Sequence, residues 1–204
     1  MLSRDERTPY VTGVIAGINI LVFLIAEIFG GSTLDTNVLI RFGGAYTPYI
    51  RDGEYWRLLT SMFMHSGIRH LLNNMLLLYV LGQHLEFLLG RVRYTAVYLA
   101  GGLAADVIAY LWYLREGRDV VSVGASGAVF AVIGTLVYII IRNRGRVDGL
   151  SMRQMLIMLG FSLYFGLVAA DVSNAAHIGG LLAGFLLGVL LYRKPGRNNP
   201  PLTM

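Results

Sequence analysis

The sequence predicts an all-α membrane protein, a bundle of six transmembrane helices with a long interfacial loop between the first and second. Three observations carry that prediction. Of the 204 residues, 55% are hydrophobic and only 14% are charged, with a mean hydropathy of +0.60, whereas a soluble domain carries about 25% charged residues. So few polar side chains cannot wrap a core of this size in water, and lipid must be the solvent. Six apolar windows reach or approach the roughly 17–25 residues that a span requires. Finally, the sixteen Arg and one Lys lie at the ends of those windows and not in one patch, a distribution that fits orientation in a bilayer and argues against nucleic-acid binding.

The windows are 10–30, 68–89, 92–113, 125–141, 154–171 and 175–192. The first ten residues carry charges of both signs and no small-residue cleavage site follows the first window, so it reads as a retained span and not a signal peptide. The segment 31–67, with "YTPYIRDGEYWRLLTSMFMHSG", mixes aromatics, Pro48 and charges. It suits an interfacial hairpin with amphipathic helices better than a further span. The other loops are short, which makes neighbouring helices antiparallel. The fourth and sixth windows are at the short end and rich in Gly and Ala. Residues 10–192 thus form one domain, flanked by an N-terminal segment 1–9 and a disordered tail 193–204.

With the N-terminus inside, eleven Arg and Lys residues face the cytoplasm and six face outward. The positive-inside bias therefore puts both termini in the cytoplasm. The starts of the second, fourth and sixth spans then lie toward the outer face, and they carry His65, His70 and Asn74, then Ser126, then His177.

Ser126 opens the fourth span within Gly124-Ala125-Ser126-Gly127. The glycines permit a tight entry into the helix, and the free N–H groups of a helix N-terminus favour an oxyanion. The same residues also read as a small-residue packing face with Ser126 as its N-cap. His177 is followed at +3, +7 and +11 by Gly180, Gly184 and Gly188, all on one helix face. That ladder matches a small face of Gly127, Ala131 and Gly134 on the fourth span, and small faces let helices meet at backbone distance. If they meet, His177 is placed to take the Ser126 proton as general base; a buried packing histidine is the alternative.

His70 and Asn74 are four residues apart and project from one helical face, where an imidazole and an amide suit an oxyanion hole. They equally suit a polar pair that ties the second span to a neighbour. Neither a metal nor any other cofactor is expected: there is no Cys, His65 and His70 are five residues apart, and no carboxylate lies between them, unlike helical zinc motifs. Among the carboxylates, Glu27 reads as solvated, Glu86 as an ion-pair or hydrogen-bond anchor beside Arg91 and Arg93, and Asp106 as a buried group needing a polar partner. His84, near the cytoplasmic end, reads as an interfacial histidine.

Taken together, these motifs resemble the rhomboid family of intramembrane serine proteases. Trp56-Arg57 resembles the family's first-loop pair, "HSGIRHLLNN" its His-x4-His-x3-Asn, and "GQHLEFLLG" its Gly-x3-Glu-x3-Gly. "GASG" resembles its Gly-x-Ser-Gly and "AHIGGLLAG" its Ala-His-x-x-Gly-x3-Gly. The resemblance implies a minimal six-span prokaryotic form in the cytoplasmic membrane, with a Ser–His dyad, no catalytic aspartate and no cofactor. Ser126 would be the nucleophile and His177 the base and then the acid. Asn74, His70 and the Ser126 backbone N–H would form the oxyanion hole, with Gly124 beside it. His65 would be structural, and Phe130 would pack on the catalytic imidazole. Gly180, Gly184, Trp56, Arg57 and Glu86 would be supporting residues. Substrates would be single-span membrane proteins whose helix unwinds near its outer end. Two other functions compete: a non-catalytic client-binding relative, and a transporter using His177 and Asp106 as a proton path.

Overall fold

The computed structural model describes residues 8–168 and 173–194, with the backbone alone over 161–168. The N-terminal residues 1–7, the last three residues of the fifth window and all but two residues of the expected tail lie outside the described residues.

Helix α1 (Tyr10–Ile25) runs into one π-helical turn, Ala26–Gly30, that ends at Gly31 with φ +98°. The following segment is a series of short pieces. They are α2 (Thr36–Arg41), strand β1 (Ala45–Tyr46), α3 (Thr47–Arg51), α4 (Arg57–Thr60) and a 3-10 turn at Ser61–Phe63. Two long helices follow, α5 (Gly67–Leu89) and α6 (Arg91–Arg115), separated by Gly90 at φ +80°. Strand β2 (Val121–Ser122) leads into α7 (Ser126–Arg142). A two-residue ladder of β3 (Arg146–Val147) with β4 (Leu150–Ser151) precedes α8 (Met152–Val168), and α9 (Asn174–Leu191) closes the described chain.

Among the described residues, three helices are long and apolar enough to cross a membrane: Tyr10–Gly30, Arg91–Arg115 and Asn174–Leu191. The protein is therefore a helical integral membrane protein, with α7 apolar but only 17 residues long. Helix α5 has the length, yet Arg69, His70, Asn73, Asn74, Gln83, His84 and Glu86 dilute its hydropathy.

The reason α7 is short and rich in small residues lies in its position. Twelve of its residues are buried, and a helix that is apolar on every side belongs inside a bundle. Leu136, Ile139 and Ile140 of α7 join Leu78, Leu81 and Leu85 of α5 and Tyr94, Val97 and Tyr98 of α6 in one core cluster. Against α9 the backbones themselves touch. A Cβ on Gly180 would overlap the Gly127 carbonyl, one on Gly184 the Ala131 carbonyl, and one on Gly134 the Leu181 carbonyl. The Thr135 hydroxyl then donates to the Gly184 carbonyl at 2.6 Å. Helix α6 packs on α7 through glycines that face side chains, with Gly101 against the Ala131 methyl and Gly102 against the Ala128 methyl and Met62 of the 3-10 turn.

Glu86 is a hydrogen-bond anchor. Its carboxylate accepts from the Val11 N–H (3.0 Å), the Thr12 N–H (2.9 Å) and the Thr12 hydroxyl (2.8 Å). These bonds satisfy open donors in the first turn of α1 and set a negative charge at its positive end. Replacing Glu86 by Ala strands those donors and is expected to destabilise the fold by about 2–3 kcal/mol. Thermal unfolding in detergent reads this as a lowered Tm, with Glu86→Gln in between. Glu27 is exposed, but it is not merely solvated: it accepts from the Thr33 N–H at 2.9 Å. At the opposite end from the site described next, His84 Nδ1 pairs with Asp148 at 3.1 Å.

Candidate active site

The chain enters α7 through a turn that only glycine makes easily. Gly124 has φ +123°, a region that costs other residues steric strain. Its lack of a side chain also makes room. A Cβ there would lie 2.7 Å from His70 Cε1, 2.8 Å from His70 Nε2 and 3.8 Å from Asn74 Nδ2. The imidazole and the amide on the first turns of α5 thus converge on the backbone just ahead of Ser126. The Asn74 amide donates back to the His70 carbonyl at 3.0 Å, which fixes its rotamer.

His177 sits in the first turn of α9, 4% exposed. Its ring stacks on Phe130 with centroids 4.1 Å apart and planes 9° from parallel. Phe130 is one turn beyond Ser126, and a Cβ on Gly127 would lie 3.9 Å from the Ala176 Cβ. Glycine packing therefore brings the first turns of α7 and α9 together. Neither ring nitrogen of His177 has a hydrogen-bond partner among the described residues. Among the described residues, the imidazole therefore makes no hydrogen bond to the Ser126 hydroxyl. Ser126 keeps partial exposure.

His65 takes a different place from the other two histidines. It is fully buried, its ring meets His70 edge-on at 5.2 Å, and its Nε2 accepts a long hydrogen bond from the Ala125 N–H at 3.4 Å. Burial, with His70 beside it, pushes its imidazole down to about 3. The ring stays neutral at physiological pH and keeps Nε2 as an acceptor.

Trp56 and Arg57 hold the preceding loop. Arg57, buried despite its charge, donates to the carbonyls of Ile40 (2.6 Å) and Gly44 (3.1 Å) and pairs with Glu54 at 2.7 Å. Its guanidinium also lies over the rings of Trp56 and Tyr49, at 4.6 and 5.0 Å from their centroids. The loop is bound to the serine turn in turn. Ala45 pairs with Ser122 and Tyr46 with Val121, and the Gly124 N–H donates to the Ser61 carbonyl at 3.0 Å.

The cap of α9 is absent from the sequence reading, whereas a polar partner for Asp106 is expected there. Ser173 caps α9 by accepting from the Ala176 N–H (3.1 Å), and the Tyr113 hydroxyl donates to Ser173 at 2.7 Å. A Ser just before "NAAHIGG" is a legible N-cap signal, although its partner 60 residues away is not. Asp106 finds the polar partner it needs in Ser61, whose hydroxyl donates to it at 2.8 Å. Among the described residues, no group of His, Asp and Glu could hold a metal ion.

Known proteins resemble this sequence over much of its length. A family model described as the Rhomboid domain matches residues 52–194. Rhomboid protease GluP of Bacillus subtilis (strain 168) is 34% identical over 183 residues, covering 90% of this chain and 35% of that protein. Putative rhomboid protease YdcA of the same organism is 30% identical over 152 residues, covering 74% of this chain and 75% of that protein. RHOMBOID-like protein 7 of Arabidopsis thaliana is 36% identical over 153 residues, covering 74% and 47% respectively. The chain spans about a third of the length of GluP and about half that of RHOMBOID-like protein 7.

Proposed function

The chain belongs to the rhomboid family, and on that premise we propose that it is an intramembrane serine endopeptidase working through a Ser126–His177 dyad. The observation that carries the proposal is the stacking of His177 on Phe130, one turn from Ser126. It holds a base on one helix beside a nucleophile on another.

In the proposed reaction, Ser126 Oγ attacks the scissile carbonyl while His177 takes its proton. The negative charge that develops on the carbonyl oxygen is met by Asn74, His70 and the Ser126 N–H. The imidazolium then returns its proton to the leaving amine as the C–N bond breaks, and water hydrolyses the acyl-enzyme. Six spans, with both termini cytoplasmic, put this site toward the outer face. There, polar structure is tolerated because it lines a wet indentation.

The natural substrates are proposed to be single-span membrane proteins. A helical peptide keeps its carbonyls in hydrogen bonds, so the segment must unwind before Ser126 can reach one. Exchanging Gly, Pro or polar residues near the outer end of a test substrate for Leu is expected to slow cleavage; an unchanged rate counts against unwinding.

The test of the function is covalent capture. Purified protein is treated with a serine-directed fluorophosphonate and the modified residue is located by mass spectrometry. Label on Ser126 that is lost in His177→Ala supports the dyad, whereas an unlabelled wild type removes it. Within the proposed hole, Asn74→Ala is expected to lower kcat by about 10²–10³-fold, with KM little changed.

A further inference from the structure

The dyad and oxyanion groups leave one buried ionisable side chain without a task. Asp106 is on α6, 7% exposed, and no basic residue forms an ion pair with it among the described residues. A lone carboxylate inside an apolar bundle is costly and is kept where it serves a specific contact. Its contacts lead to the serine turn from both sides. On one side, Asp106 Oδ2 accepts from the Ser61 hydroxyl at 2.8 Å, and the Ser61 carbonyl accepts from the Gly124 N–H at 3.0 Å. On the other, its Oδ1 lies 3.8 Å from where a Gly127 Cβ would be. Ser61 itself is 1% exposed, in a three-residue 3-10 turn with no side-chain cap.

We propose that Asp106 is a positioning residue that acts through Ser61. The carboxylate tethers Ser61 through its hydroxyl and so steadies the short turn that carries the Ser61 carbonyl. That carbonyl holds Gly124 in its left-handed conformation, which aims the Ser126 N–H and hydroxyl at the reacting carbonyl. The role is structural at the scale of a single turn. Asp106 donates and accepts no proton in the reaction, and it makes no hydrogen bond to His177 among the described residues.

This inference rests on the protease reading for its kinetic consequence, so the experiment carries a readout that does not. The full chain in detergent is compared with Asp106→Ala, Ser61→Ala, the double variant and Asp106→Asn. Amide exchange over residues 121–126 is expected to quicken by about 10-fold or more in either alanine variant, as the Gly124 bond loosens. In parallel, kcat for a cleavable test substrate falls by about 10–100-fold with KM within about twofold. The double variant is no slower than the slower single, because both side chains act in one chain of contacts. Asp106→Asn keeps an acceptor for Ser61 and recovers most of the loss. Exchange and kcat unmoved in Asp106→Ala, losses that multiply in the double variant, or a change confined to KM each overturn the proposal. If the wild type neither cleaves nor takes the fluorophosphonate while exchange still responds, the protease reading fails and the Asp106–Ser61–Gly124 linkage stands.

Discussion

Ser126→Ala is expected to lower cleavage of a membrane-protein substrate by at least about 10⁴-fold, the scale on which serine hydrolases lose activity with their nucleophile. The substitution removes one oxygen from a partly buried position at the start of α7. No hydrogen bond to the Ser126 side chain holds the fold together among the described residues, and the turn ahead of it is held through Gly124 and Ala125. Alanine is also a good helix residue. The Tm should therefore stay within about a degree or two of wild type, since a surface change free of packing or hydrogen-bond loss is worth about ±0.5 kcal/mol. A variant that still cleaves at a comparable rate ends the assignment of Ser126, and one that unfolds shows a structural role for the hydroxyl. Gel-based cleavage in liposomes alongside a thermal melt reads both outcomes.

Gly184→Val is the second large effect, and it acts at a distance. A Cβ at Gly184 would collide with the Ala131 carbonyl and lie 2.5 Å from the Ala131 Cα. Backbone cannot swing aside as a side-chain tip does, so α9 must move away from α7. The Thr135 bond to the Gly184 carbonyl at 2.6 Å is strained by the same movement. Overpacking of this kind costs about 1–3 kcal/mol or more. His177 is seven residues away on the same helix face, so it moves with the helix, and a misplacement of about 1 Å costs about 10²-fold in rate. The expected result is a lower Tm together with at least about a 100-fold loss of cleavage, Gly184→Ala lying between. Gly160→Ala is the control, because among the described residues nothing lies within 4 Å of a Cβ there. Wild-type activity in Gly184→Val would refute the view that glycine contact between α7 and α9 sets the site.

Much of this architecture was legible in local patterns. The window 68–89 became Gly67–Leu89, 92–113 became Arg91–Arg115, and 175–192 became Asn174–Leu191. A long helix shows in a long, largely apolar window, so its limits can be read without knowing its neighbours. The Gly180–Gly184 ladder was readable for a similar reason: a spacing of four repeats on one face and admits a close partner. The partner itself was found by matching a second small face. The loop resisted that approach. Arg57 joins Ile40, Gly44 and Glu54, while Ser61 joins Asp106 from 45 residues away. No period in the chain announces bonds of that kind. Likewise, the pairing of Ala45 with Ser122 uses two-residue strands, too short to show alternation. Arg57 and Glu86 were singled out as supporting residues, but what each one holds became visible only in three dimensions.

The enclosure of α7 has a consequence for how the protein meets bilayers of different thickness. A helix bounded by lipid must tilt or stretch its surroundings when the hydrocarbon layer changes depth. Helix α7 packs against α5, α6, α8 and α9 and buries twelve of its 17 residues, so most of its length has no such match to satisfy. Thinning or thickening of the membrane bears on the outer helices, while the serine keeps its height relative to them. On the proposed reading, the nucleophile is thereby referenced to protein, and the lipid sets only how far a substrate descends to meet it.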